Sequence, residues 1–142
     1  MKKVFALLLC SCMLFLMACS VIDAPLRNKM TQYYSDDDNY QEVTGIVKEK
    51  IGEENLKVMI TTEYHTFRSD SESNYVVFTL SSHSALSEYI NVGDEITLTS
   101  APMHFYNGHA LPIVALKIGG EVFLLFEEGK ADYLEWIQET FG

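Results

Sequence analysis

The sequence predicts a mainly β domain: a small antiparallel β-barrel of five to six strands, closed or partly closed, with one helix at its C-terminal end. Three observations carry that expectation. From Tyr40 onward the chain consists of short runs rich in β-branched and aromatic residues, separated by turn-forming residues about every ten positions. Two dipeptides that readily take positive φ, Asn107-Gly108 and Gly119-Gly120, fall between such runs. After Lys130 the apolar spacing changes from every second residue to every third or fourth, which is the mark of a helix.

Each element can be justified from its residues. Gln41 to Ile51 reads as the first strand with Gly45 as its bulge, and Gly52-Glu53-Glu54-Asn55 as the turn after it. Leu56, Val58 and Ile60 alternate with Lys57, Met59 and Thr61 in a second strand running toward Phe67, and Arg68 to Asn74 is a polar loop. Tyr75 to Leu80 is almost continuously apolar, as expected of a strand covered on both faces. Ser84 to Ile90 accommodates one or two helical turns, and Asn91-Val92-Gly93-Asp94 turns the chain into Glu95 to Thr99, with Ile96 and Leu98 pointing inward. Asn107-Gly108 then joins Met103–Tyr106 to His109–Val114, and Gly119-Gly120 joins Val114–Ile118 to Glu121–Phe126. In the last segment Leu134, Ile137 and Phe141 form a stripe beside Tyr133 and Trp136, with Glu135, Gln138 and Glu139 facing out.

Before this domain, residues 1–18 read as a signal peptide. Lys2 and Lys3 precede an apolar run from Val4 to Ala18, shorter than the ~20 residues that cross a bilayer and ending in a small residue before Cys19. Leu16-Met17-Ala18-Cys19 resembles the bacterial lipobox, departing from it at Met17, where a small or hydroxyl residue is commoner. The resemblance implies diacylglycerol on the Cys19 thiol and cleavage before that residue. It places the domain on the extracytoplasmic side of a bacterial membrane, held there by lipid. Cys10 and Cys12 leave with the signal peptide, so the remaining chain has neither a disulfide nor a thiol nucleophile. Residues 19–39 form a tether, in which Asp23 and Pro25 can start a short helix through Tyr34, free or docked on the domain. Asp36-Asp37-Asp38-Asn39 lacks the alternating ligands, central Gly and distal Glu of a calcium loop and reads as a solvated turn. Residues 40–142 are the domain proper.

Charge excludes one class of function. All 20 acidic residues lie beyond residue 18, and loss of Lys2 and Lys3 takes the formal charge from −10 to −12. Such a surface repels phosphates, and nucleic acid is not an expected partner. Val92-Gly93-Asp94-Glu95-Ile96-Thr97-Leu98 resembles the Gly-Asp-x-hydrophobic strand start of OB-fold proteins, in which Gly permits the turn, Asp caps it and alternate apolar residues enter the core. The whole domain is similar to small OB-like lipoproteins of bacteria. That resemblance implies fold and address, and no activity.

The most specific constellation is Pro102-Met103-His104-Phe105-Tyr106-Asn107-Gly108-His109-Ala110-Leu111-Pro112. A two-residue turn at Asn107-Gly108 puts His104, Tyr106 and His109 on one face, with Phe105 and Ala110 inside. An exposed Tyr with two histidines suits recognition of an envelope protein or glycan, because each ring offers contact area and a polar tip. A second reading makes His104 and His109 metal ligands, completed by Glu63, His65 or Asp94, since a zinc site wants three or four donors. A third is a cell-envelope hydrolase, but no Gly-x-Ser-x-Gly or Ser-x-x-Lys motif accompanies the serines around His83, and Glu127-Glu128 are adjacent rather than facing across a cleft. The sequence thus favours a non-catalytic binding or assembly module that needs no cofactor.

Overall fold

The computed structural model describes residues 24–67 and 74–142. The lipobox, Cys19 and the greater part of the Arg68–Asn74 loop lie outside the described residues. Helix α1 spans 24–35. Next comes a 3₁₀ turn at Asp37–Asn39, in which Asp36 accepts a hydrogen bond from the Asp38 amide at 3.0 Å. The acidic run is therefore a capped turn, and Asp37 pairs with Lys130. Strands β1 (Gln41–Ile51), β2 (Asn55–Ile60) and β3 (Tyr75–Thr79) lead to a 3₁₀ segment at Ser81–Tyr89, kinked at His83. Strands β4 (Glu95–Ser100), β5 (Leu111–Pro112), β6 (Ala115–Ile118) and β7 (Glu121–Leu124) precede helix α2 (Phe126–Phe141).

The chain is mainly β with a C-terminal helix, and its seven strands form one row in the order β5-β3-β2-β1-β4-β6-β7. This corrects the expected barrel of five to six strands: the row is open, with β5 and β7 as its edges. It is nevertheless strongly curled, because only Ile113 and Val114 separate β5 at one edge from β6 near the other. Two residues span under ~11 Å even when extended, so the first and sixth places in the row lie close together. The Ile113 amide donates to Thr79 O and the Val114 amide to Thr99 O, each at 2.9 Å, so this short segment touches β3 and β4 in succession.

Strand β1 pairs with β4 through Gln41–Ile46 and with β2 through Gly45–Ile51. Its bulge lies between Val47 and Glu49 rather than at Gly45. The cause is the turn before β4: Gly93, with φ 97°, donates to Val47 O at 2.7 Å, and Val47 donates to Asp94 O at 2.9 Å. Asp94 accepts from the Asn91 amide at 2.8 Å, the capping role its sequence predicts. Gly45 serves close approach instead, since a Cβ there would meet Val58 Cγ1 at 2.6 Å and Met59 O at 2.7 Å.

Alternate residues fill the inner face, among them Val43, Val47, Leu56, Val58, Ile96 and Leu98. Each such side chain contributes ~1.5–3 kcal/mol on leaving water. Strand β3 obeys the same alternation, with Val76 and Phe78 buried and Val77 36 % exposed, so it is covered on one face and not on both. A second core lies between the helices. Met30 and Tyr34 of α1 pack with Ala101, Val114 and with Tyr133 and Ile137 of α2. Leu26, Met30, Tyr33 and Tyr34 recur at helical spacing, which is why the segment before Tyr40 folds onto the domain. Among the described residues no helix is long and apolar enough to cross a membrane.

Candidate functional site

The Asn107-Gly108 segment does not join two paired strands, contrary to expectation. The His109 amide does donate to Tyr106 O at 3.1 Å, closing a turn. Within that turn only the second central residue, Gly108, has positive φ, at 78°, whereas the two-residue hairpin turns that match strand twist need it at the first central residue or at both. The flanks therefore splay. Pro102 and Pro112 remove two backbone donors, and the chain beyond the turn pairs in parallel with β3 for two residues only, Phe78 with Leu111 and Thr79 with Pro112.

His104, Tyr106 and His109 are brought together, but not on one exposed face. His109 is 4 % exposed. Its Nδ1 accepts from the Phe105 amide at 3.2 Å, which puts the ring proton on Nε2, 3.2 Å from the Tyr133 hydroxyl. Burial, helped by neighbouring His104, lowers its pKa to about 4. His109 is thus a neutral structural imidazole near pH 7. Tyr106 stacks on it with ring centroids 4.5 Å apart, its other edge against Phe141. His104 Nδ1 lies 2.9 Å from His109 O and must donate, because a carbonyl only accepts; that leaves Nε2 of this ring for a ligand. Phe105 packs inward against Tyr33 and Tyr34.

Behind this loop the aromatic layer is deep. Tyr34 stands edge-on to Tyr133 at 4.9 Å, and Tyr133 stacks on Trp136 at 5.2 Å. Burial raises the phenol pKa of Tyr34, Tyr133 and Tyr40 well beyond the usual range, so none is an available nucleophile. The Tyr34 hydroxyl has no hydrogen-bond partner of good geometry, although Tyr133 lies close enough to influence it.

In front of the loop is a cleft of about 610 Å³. One wall is His104 with Tyr106–Ala110, and the other is Asn55 of β2 with Tyr75–Val77 of β3. Lys57 lies over the Tyr75 ring, 5.3 Å from its centroid. Among the described residues no acidic, Lys or Arg side chain lines the cleft, so it offers stacking, apolar contact and a few hydrogen bonds. A smaller cleft of about 430 Å³ is lined by Lys50, Glu53 and Ser87, and the Lys50 ammonium is already engaged, donating to Ser87 O at 2.7 Å and Ile90 O at 3.0 Å.

The donors proposed to complete a metal site do not converge. Asp94 and Ser100 are six residues apart along β4, about 20 Å, and the histidines lie beyond Ser100. Among the described residues, no three His, Cys, Asp or Glu side chains are grouped to hold an ion. His83 Nε2 lies 2.9 Å from Asp132 Oδ2 of α2 but without hydrogen-bond geometry, and Ser81 Oγ makes no hydrogen bond despite the strained φ of 49° at that residue. Glu127 and Glu128 are exposed in the first turn of α2, where carboxylates favour the helix dipole.

Sequence reasoning located one wall of the cleft and missed the other. Tyr75 and Val77 lie thirty residues away in a strand read as doubly covered. The alternation Tyr75-Val76-Val77-Phe78 is apolar at every position, so nothing in it marks which face is open. No protein-family profile, curated protein or solved structure matches the chain.

Proposed function

We propose that the protein is a lipid-anchored binding module of the bacterial cell envelope, held to a membrane through Cys19 and presenting a non-catalytic recognition site on the extracytoplasmic side. The observation that carries the recognition half is the cleft beneath Tyr106. A ring 39 % exposed, stacked on a buried and neutral His109, is a rigid aromatic surface at the mouth of a concave site. Binding there costs little side-chain entropy, because the stack is already formed. The lipobox and the charged, apolar leader carry the address. We further read the sheet as OB-like. In support, β1 pairs on both sides, β3 and β5 pair in parallel, and the 111–118 segment passes from β3 to β4.

Two measurements test the two halves. Metabolic labelling with a fatty acid should tag the protein, and Cys19→Ser should abolish the label and leave uncleaved precursor; label retained in that variant would remove the anchor. Crosslinking in native membranes, with mild solubilisation and mass spectrometry, should recover a stoichiometric partner or a bound glycan. Tyr106→Ala should reduce that recovery by about tenfold, the loss of one aromatic contact of ~1–2 kcal/mol, in a protein that still folds, its melting temperature lowered only by the lost contacts with His109 and Phe141. Undiminished recovery would move the site elsewhere.

A further inference from the structure

We propose that the cleft takes an extended, uncharged peptide segment of another polypeptide, added as a strand to the open edge of β3 at Tyr75–Val77. The inference rests on the reading of the cleft as a recognition site and names its ligand class.

The direction of the β3 backbone is set by its ladder. In an antiparallel pair, successive residues direct their N–H and C=O groups to opposite sides. The Ile60 amide donates to Asn74 O at 3.0 Å and the Leu80 amide to Glu54 O at 2.8 Å, so the even-numbered residues of this stretch face β2. Tyr75, Val77 and Thr79 face the other way. Thr79 O confirms it by accepting from Ile113 on that side. Strand β5 occupies this side only opposite Phe78 and Thr79. Among the described residues, no segment pairs there with Tyr75–Val77.

Opposite that edge stands the 104–110 loop, across the cleft rather than in the ladder. It is held off by its own anchors. The His109 ring is turned into the core, bonded to Phe105 N and Tyr133 Oη, so the chain preceding Leu111 cannot run on beside β3. The gap is therefore built into the packed state, and the same edge already accepts a strand two residues further along.

Three features fix the occupant. Exposed edges are usually protected by Lys, Pro or a bulge, and Tyr75-Val76-Val77 has none of these while being rich in strand-forming residues. The lining includes no acidic, Lys or Arg side chain within a strongly acidic protein, which selects a neutral segment over a basic one. Finally, the 104–110 loop faces β3 across a cleft of about 610 Å³, so a segment added to this edge also meets Tyr106. This is strand addition, in which backbone hydrogen bonds supply affinity and alternate side chains supply selectivity, here over Tyr75, Val77 and Tyr106.

The test uses the full chain in detergent micelles, panned against a display library of random heptapeptides. Enriched peptides are then synthesised with and without N-methyl groups at alternate residues. Uncharged, proline-poor peptides should emerge, and N-methylation in one of the two phases should weaken binding by about tenfold for each hydrogen bond lost. Val77→Pro, which removes an amide pointing away from β2, should have a similar effect; the methylated peptides decide the matter if that variant does not fold. Peptides insensitive to methylation in both phases, yet weakened by Tyr106→Ala, would overturn strand addition and keep the recognition site. Failure to enrich any peptide would overturn the peptide ligand, leaving the crosslinking result to judge the site itself. Concentration-dependent dimerisation abolished by Val77→Pro would overturn it in favour of self-pairing.

Discussion

Both nitrogens of His109 are committed in the fold, Nδ1 to the Phe105 amide and Nε2 to the Tyr133 hydroxyl, so a second proton has no place to go. The pKa near 4 therefore has a consequence for stability. Because the folded value lies below the ordinary value of 6.5, the unfolded chain binds more protons between these two pH values, and folding weakens as the pH falls through that window. The stabilisation is complete above pH 6.5, and its loss by pH 4 amounts to about 3 kcal/mol. Urea unfolding of the wild type and of His109→Asn between pH 7 and 4 should show a steeper decline in the wild type; parallel curves would mean that His109 is not the group concerned. The same network predicts a cost for Tyr133→Phe of about 1–3 kcal/mol, since Nε2–H would be left buried without its acceptor. Equal stability of that variant would show that the hydroxyl is not needed. Tyr106, on the outer side of the stack, carries no such role and is free to serve a ligand.

At the scale of elements, the glycines separate turns from close approaches. Gly129 lies in the first turns of α2, where Ala would ordinarily improve a helix by about 1 kcal/mol. Here a Cβ would collide with Val114 O, a backbone atom in the link between β5 and β6 that cannot rotate aside. Gly129→Ala should therefore destabilise by about 1–3 kcal/mol as α2 is pushed from the sheet, measured as a lower urea midpoint; a gain would mean that α2 docks loosely. Much of the fold could be read from local pattern. The bounds of β1, the Gly93-Asp94 turn, the Gly119-Gly120 hairpin and the existence of α2 are all set by residues close in the chain, although the buried stripe of α2 runs through Tyr133 and Ile137 rather than Leu134, Ile137 and Phe141. The features that could not be read were decided by long-range contact. The β1 bulge belongs to Val47 because Gly93 and Asp94 come back to meet it, and Asn107-Gly108 fails as a hairpin because His109 is needed in the core. The candidate site obeys the same rule: its loop wall shows as an aromatic and histidine cluster, while its strand wall exists only once β5 is seen to begin at Leu111, opposite Phe78.

For the whole molecule, the open question of organisation is where the independently folding unit begins. Composition and the acidic run place a boundary near Tyr40. The packing instead makes α1 half of the second core: Met30 and Tyr34 are fully buried against Val114, Tyr133 and Ile137, and Asn39 Nδ2 donates to Tyr33 O at 2.8 Å across the intervening turn. The Lys130–Asp37 pair fastens the same turn to α2, but half of it is well exposed and it adds under ~1 kcal/mol. Apolar burial decides the matter. Removing Met30 and Tyr34 together strips α2 of its cover and should cost about 5 kcal/mol or more, comparable with the 5–15 kcal/mol that typically holds a domain folded. A chain cut before Ala24 should therefore melt cooperatively like the full protein, whereas one cut before Tyr40 should lose near-ultraviolet circular dichroism from its packed tyrosines and melt far lower. Indistinguishable melting of the two chains would return α1 to the tether. The expected difference would instead make α1 part of the folding unit, with its Met30 and Tyr34 as necessary to the second core as Tyr133 and Ile137 of α2.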